Sequence, residues 1–370
     1  MKWSWRIGRV AGIDVYLHAT FLILLGWVGL QHYLARHNPA DAVGGLLFIC
    51  ALFGIVVLHE LGHALTARRF GIRTRDITLL PIGGVARLER MPDNPKEELL
   101  VALAGPAVNV ALALLLLVLL IPATAWNALG EVRLVGGHPL LKLMLVNVGL
   151  AVFNLIPAFP MDGGRVLRAL LALKMDYVRA TNIAATVGQG LALVFGFIGL
   201  FTNPFLVFIA LFVWMGAASE ASLVQVKSAL GGIPIERAMI TDFRTLAPSD
   251  PLQRAVGFIL GGFQQDFPVL DEGRLVGVLT RADMLAALAQ QGQDAPVSGA
   301  MRDRFETADP AEMLDSMLPR LQACECHAIP VLRAGQLVGM LTMDNIGEFL
   351  MIQSALRHTT PPKLAVAGLD

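Results

Sequence analysis

The 370-residue chain reads as a multi-span α-helical membrane protein, with about six transmembrane helices followed by a C-terminal cytoplasmic α/β domain. Three observations predict this. The composition is 55% hydrophobic and 16% charged, with a mean hydropathy of +0.62, too apolar for an ordinary soluble fold. Apolar runs at about 19–35, 44–67, 99–121, 139–157, 183–201 and 204–226 each approach the roughly 17–25 residues that cross a bilayer as a helix. After Lys227 the texture changes to alternating apolar residues, turn glycines and short helical stretches, and part of that region is duplicated.

The N-terminal segment "MKWSWRIGRVAGIDVYLHAT" has no continuous apolar core and no small-residue cleavage site, so no cleaved signal peptide is expected. Lys and Arg then orient the spans. Lys2, Arg6 and Arg9 precede the first. Arg68, Arg69, Arg73, Arg75, Arg87, Arg90 and Lys96 separate the second and third, and Arg165, Arg168, Lys174 and Arg179 separate the fourth and fifth. The opposite loops carry little more than Arg36 and Arg133. The positive-inside rule therefore places a multi-pass protein in the cell membrane with both termini in the cytoplasm. "FTNP" turns the chain between the last two spans. Lys+Arg and Asp+Glu balance at 29 each, which excludes a field suited to nucleic acid. Cys50, Cys324 and Cys326 form no disulfide framework, and the Cys-x-Cys pair reads as plain thiols.

The second span contains "VVLHELGHAL". On a helix His59 and His63 project from one face and can grip one metal ion, while Glu60 is placed to take a proton from water at that metal. The bland alternative is a set of polar residues reaching for the interface. One ionisable group at a bilayer centre already costs about 2.5–3.5 kcal/mol. A bound zinc offsets that, with apparent affinities on the order of 10 kcal/mol or more. Zinc in a catalytic site takes three protein ligands and one open position. The fourth span ends at matching depth in "FNLIPAFPMDGGR", where Pro157 and Pro160 break the helix and Asp162 is expected on a non-helical segment that folds back to the histidines. Asp162 before Gly163-Gly164 is also an ordinary turn residue.

"HELGH" together with "NLIPAFPMDGGR" resembles the site-2 protease family of intramembrane zinc metalloproteases. The second motif is carried by Asn154, Pro157, Pro160, Asp162 and Gly163, with Met161 where the family often has Leu. "PIGGVARLERMP" at 81–92 and "AGPAVNVALA" at 104–113 extend the likeness over Ile7 to Lys227. The resemblance implies His59, His63 and Asp162 as ligands of one zinc per chain, Glu60 as catalytic base, and a membrane-anchored, regulatory protein as substrate. Asn154 can donate a hydrogen bond to a tetrahedral intermediate or tie helices together. Asn109 reads as packing beside Gly105, and His18 as interfacial. Gly83-Gly84 can offer an edge strand to an extended substrate.

In the C-terminal region "FPVLDEGRLVGVLTRADML" at 267–285 returns 62 residues later as "IPVLRAGQLVGMLTMDNIG" at 329–347. Upstream, Met239, Phe243 and Pro248 match Met301, Phe305 and Pro310 in the same register. The copies resemble a pair of cystathionine-β-synthase (CBS) domains, a module that commonly binds adenosine nucleotides. That likeness implies ATP or AMP contacts at Thr280, Asp283 and Thr342; Asn345 departs from the pattern in the second copy. The alternative is a packing device through which the chain forms a homodimer. The expected divisions are 1–228 for the membrane protease domain, 229–292 and 293–356 for the two CBS repeats, and 357–370 for a disordered tail. The rival reading is a CBS-regulated transporter or channel with a metal site. It calls for two related halves with matching broken helices, and the sequence has none. An intact Glu60 argues against a metal-free pseudoenzyme.

Overall fold

The computed structural model describes residues 3–81, 83–92, 94–120, 138–262, 264–323 and 328–359. Arg133, the Cys324/Cys326 pair and residues 360–370 of the tail lie outside them. The chain divides into two compact units, Met1–Val224 and Gln225–Asp370.

The first unit opens with a sheet that the apolar pattern of the spans did not announce. Strands β1 (Ser4–Val10), β2 (Ile13–His18), β3 (Thr74–Leu80) and β4 (Gly83–Leu88) lie in that order. β1 and β2 form an antiparallel hairpin, β2 and β3 run parallel, and β3 and β4 are antiparallel. Strand period places Ile13 and Val15 of β2 and Ile77 and Leu79 of β3 inward. They pack on Phe53, Leu61 and Ala64 of the second helix, so one sheet face is fixed against the element that carries the histidines. β4 is the edge.

The helices of this unit are α1 (Ala19–Arg36), α2 (Pro39–Arg69), α3 (Pro95–Leu120), α4 (Pro139–Asn154), α5 (Asp162–Ala172), α6 (Tyr177–Phe201) and α7 (Pro204–Leu230). Four of them, α2, α3, α6 and α7, are long and apolar enough to cross a membrane; α1 and α4 are shorter apolar helices. Caps explain several starts. His18 accepts from Thr20 N at α1, Asn38 from Ala40 N ahead of Pro39 at α2, and Asp176 from Val178 N and Arg179 N at α6.

One expectation is corrected here. Arg165, Arg168, Lys174 and Arg179 count in the sequence only as basic residues between the fourth and fifth spans. The first part of that stretch is α5, and Arg168 is 1% exposed. Arg168 Nε donates to Glu98 Oε1 of α3 at 2.8 Å, and Nη1 donates to Glu220 Oε1 of α7 at 2.6 Å. Its guanidinium also stacks between the rings of Phe159 and Tyr177, at 5.1 and 5.0 Å. An arginine belongs in such a place because its planar fork can serve two carboxylates and two aromatic faces at once.

The second unit repeats itself in three dimensions. Helix α8 (Leu252–Gly261), strands β5 (Phe267–Asp271) and β6 (Arg274–Leu279), and helix α9 (Arg281–Gln291) make one copy. Helix α10 (Leu314–Ala323), strands β7 (Ala328–Arg333) and β8 (Gln336–Thr342), and helix α11 (Met343–Thr359) make the other. The hairpin turns Glu272-Gly273 and Ala334-Gly335 all have positive φ, the conformation a two-residue connection requires. α11 continues through Thr359, so the tail expected to be disordered from 357 begins as helix. The copies exchange their leading segments: Ile240 pairs with Met340 of the second copy, and Arg302 pairs with Val278 of the first.

Candidate metal centre

Three chain segments converge on one point. α2 presents His59 and His63 one turn apart on the side toward α3. α4 ends at Asn154, and the non-helical stretch Leu155–Met161, with Pro157 and Pro160, returns the chain to begin α5 at Asp162. Asp162 is therefore the first residue of a helix, not part of an irregular segment as the prolines alone suggested. A carboxylate there also suits the helix N-terminus.

The two glycines after it have a packing reason beyond turn formation. A Cβ at Gly163 would overlap the carbonyls of Ile156 and Leu155, and one at Gly164 would meet the Ala158–Phe159 backbone at 2.6 Å. The first turn of α5 is pressed on the returning loop, and only glycine leaves room.

His59 Nε2 lies 3.2 Å and His63 Nε2 3.1 Å from Asp162 Oδ2, and the two Nε2 atoms are 3.1 Å apart. A tetrahedral zinc with bonds of about 2.0–2.1 Å to nitrogen and oxygen needs ligand atoms about 3.3 Å apart. The triangle is already close to that face, and all three residues are buried. α3 closes one side of it. A Cβ at Gly105 would collide with Nε2 of both histidines, so the backbone of α3 stands where a larger residue would fill the site. His63 Nδ1 lies 2.7 Å from the Val101 carbonyl, a partner that leaves Nε2 as the free ligand atom. The residues fit a zinc ion on donor type, spacing and enclosure.

Glu60 is not part of the triangle. Its Oε2 accepts from Ala86 N of the edge strand at 3.2 Å, and Gly84 lets β4 come down on its side chain. Asn154 is half-buried at the end of α4.

In the second unit, Thr280 caps α9: its Oγ1 accepts from Asp283 N at 3.1 Å and donates to Asp283 Oδ2 at 2.6 Å. Arg302 grips the same carboxylate through Nε and Nη2 at 2.5 and 3.1 Å, which holds Asp283 below the usual carboxylate range. Thr342 and Asn345 repeat the cap without a charge: Asn345 N donates to Thr342 Oγ1 at 3.2 Å. The residue equivalent to Arg302 is Ile240, so the neutral Asn345 stands where no guanidinium waits for it.

Paired histidines one helical turn apart, a carboxylate that converges on them and a separate glutamate, set within long apolar helices, define a metallohydrolase of the membrane-embedded class. Comparison with known proteins agrees. The model of peptidase family M50 matches residues 47–131 and 132–195, and the CBS domain model matches residues 235–290. A zinc metalloprotease of Methanocaldococcus jannaschii is 37% identical over 282 residues, 75% of this chain and 78% of its own length. A relative from Synechocystis sp. is 29% identical over 95% of this chain and 96% of its own. The solved site-2 protease from Methanocaldococcus jannaschii is 40% identical over 59% of this chain and 95% of its own, with a TM-score of 0.43. The chain belongs to peptidase family M50, the site-2 proteases, and is a zinc metalloprotease with a C-terminal CBS pair. The transporter reading falls with that assignment.

Sequence reading missed Arg168 and its carboxylates, because a basic residue after a span counts as loop charge. The signal that could have found it is Glu98, a carboxylate in the first turn of the apolar helix α3.

Proposed function

We propose that the protein cleaves membrane-anchored, regulatory proteins within or near their transmembrane segments, using a zinc ion held by His59, His63 and Asp162. The observation that carries this reading is the triangle of ligand atoms beside Glu60, within apolar helices. A zinc ion there supplies a Lewis acid that lowers the pKa of water and polarises a carbonyl. Glu60 takes the proton from the attacking water and delivers it to the nitrogen of the leaving amine. Its contact with Ala86 N supports this role, since it holds the carboxylate beside the ligand triangle and keeps it from swinging in as a fourth ligand. Asn154 donates its amide N–H to the oxyanion of the tetrahedral intermediate.

A helical substrate hides its carbonyls in i→i−4 bonds, so the scissile segment must be extended. β4 supports that step: it is an edge strand, and the amide of Ala86 reaches Glu60, so a chain added along β4 runs past the base. The positive-inside pattern supports a multi-pass chain with both termini in the cytoplasm. The CBS pair is read as a cytoplasmic sensor that binds ATP or AMP at Thr280, Asp283 and Thr342, and as a surface for homodimers. The Thr280–Asp283 pair supports the first half-site, and Asn345 makes the second the weaker.

The test is reconstitution of the full chain in liposomes with single-span membrane peptides, with products mapped by mass spectrometry. Cuts in or next to the apolar segment, absent with Glu60→Gln, are expected. Cuts confined to soluble flanks, or undiminished with Glu60→Gln, overturn the reading. Adding AMP or ATP to the same assay tests the sensor, and an unchanged rate in both the parent and Asp283→Ala leaves the module as an assembly device.

A further inference from the structure

A histidine that binds a metal through one ring nitrogen donates the other N–H to a fixed acceptor, which sets its tautomer and the plane of its ring. His63 has such an acceptor in the Val101 carbonyl. His59 does not: its Nδ1 is buried and makes no hydrogen bond among the described residues. Inside a bilayer no bulk water is at hand to take its place.

A second buried group is unpaired on the facing helix. Asn109 of α3 is 0% exposed, and neither its Oδ1 nor its Nδ2 has a partner among the described residues. Packing as an inert residue does not explain an amide there, because leucine would fill the same volume with no polar atom to satisfy. The register of α2 against α3 shows what Asn109 faces. Ala67 packs on Val101, His63 bonds to the Val101 carbonyl, both imidazoles press on Gly105, and Gly62 meets Ala104 and Val108. Val101, Gly105 and Asn109 are spaced by four residues, one stripe along α3. The helices run antiparallel, so a step of one turn from Gly105 to Asn109 follows the step from His63 to His59.

We propose that Asn109 is the positioning residue of His59: its Oδ1 accepts the Nδ1 proton and orients the ring so that Nε2 faces the metal. This rests on the metal-site reading above. It replaces the view of Asn109 as packing beside Gly105 with a role in the affinity and geometry of the site.

The test uses the full chain in detergent, with zinc affinity measured by competition against a chelator. Asn109→Leu keeps the size and adds apolar surface, so its thermal midpoint should hold or rise while zinc affinity falls about 10–100-fold. Asn109→Asp restores an oxygen acceptor and should recover most of that loss. The cobalt-substituted protein should show a changed ligand-field spectrum in Asn109→Leu and a near-parental one in Asn109→Asp. Where Asn109→Leu does not fold, the unmutated protein answers directly through its 15N-histidine spectrum. A slowly exchanging, hydrogen-bonded Nδ1 proton on zinc-loaded His59 supports the proposal, and a freely exchanging one overturns it. Parental zinc affinity and cobalt spectrum in a folded Asn109→Leu also overturn it. Failure of the metal site itself looks different: the parent would then take up no zinc, or His59→Ala would keep it.

Discussion

The helical unit buries two clusters of ionisable side chains on one short helix, and they meet the cost of burial in opposite ways. At the start of α5, Asp162 converges with two imidazoles, and Glu60 stands beside them; no side chain of the cluster carries a permanent positive charge. About two turns along, Arg168 sits between Glu98 and Glu220 and brings its cation with it. A cluster closed by an arginine is complete when the chain folds, and its fork fixes α3, α5 and α7 together. A cluster of lone pairs is complete only with a cation from outside, and that cation can keep a coordination position for substrate. The difference separates a structural clamp from a reactive centre, although both are carboxylates among apolar helices.

Four substitutions sharpen or break this contrast, in falling order of effect. Asp162→Ala should lower zinc affinity by more than about 100-fold, beyond the loss expected for an outer partner, and abolish proteolysis. Metal analysis of purified protein checks it, and full zinc occupancy with full activity would remove Asp162 from the ligand set. Glu60→Gln should retain one zinc per chain and lose about 10²–10⁴ in turnover, because the amide cannot carry the proton. The same protein therefore separates metal holding from proton transfer, and a parental rate in the peptide assay contradicts it.

Arg168→Leu should leave zinc-ligand chemistry untouched in kind but destabilise the fold by about 3–5 kcal/mol, since it strands Glu98 and Glu220 without their cation. Adding Glu98→Gln to that variant should recover part of the loss. Thermal unfolding in detergent is the measurement, and an unchanged midpoint for the single variant would mean the clamp does not hold the helices. The smallest effect belongs to the partly exposed pair of the second unit, Asp283 and Arg302. Its carboxyl titrates lower in the folded state than in the unfolded chain. Its stabilisation is thus fully present at neutral pH and is lost as pH falls below about 4 and through the lowered folded value. Asp283→Asn should cost at most about 1 kcal/mol at pH 7 and nothing at pH 2, read as the difference in denaturant midpoint at the two pH values.

Much of this architecture was legible in the sequence where one rule acts alone. The spacing of His59 and His63 reports one face of a helix whatever surrounds it, and the 62-residue repeat returns in the structure as matching helices and matching positive-φ turns. Asp162 could be placed by depth because the prolines had to end α4. What escaped needed tertiary knowledge. β2 alternates but is only six residues long, and its Ile13 and Val15 become core because α2 lies over them, while Trp5, Ile7 and Val10 of β1 stay exposed. Arg168 follows the charge rule for a loop and becomes a buried clamp only through carboxylates on two distant helices. Gly105 was visible as a small residue in a span, but what it must avoid lies some forty residues earlier in the chain.

That glycine has a bearing on how genomes are read. Because α3 touches both imidazoles through bare backbone, Gly105→Ala puts a methyl group on the ligand atoms while leaving every residue of "HELGH" and "MDGG" in place. A homologue carrying that single change would score as an active peptidase in any inventory built on the two signatures. It would be a catalytically silent copy, free to bind a client without cutting it.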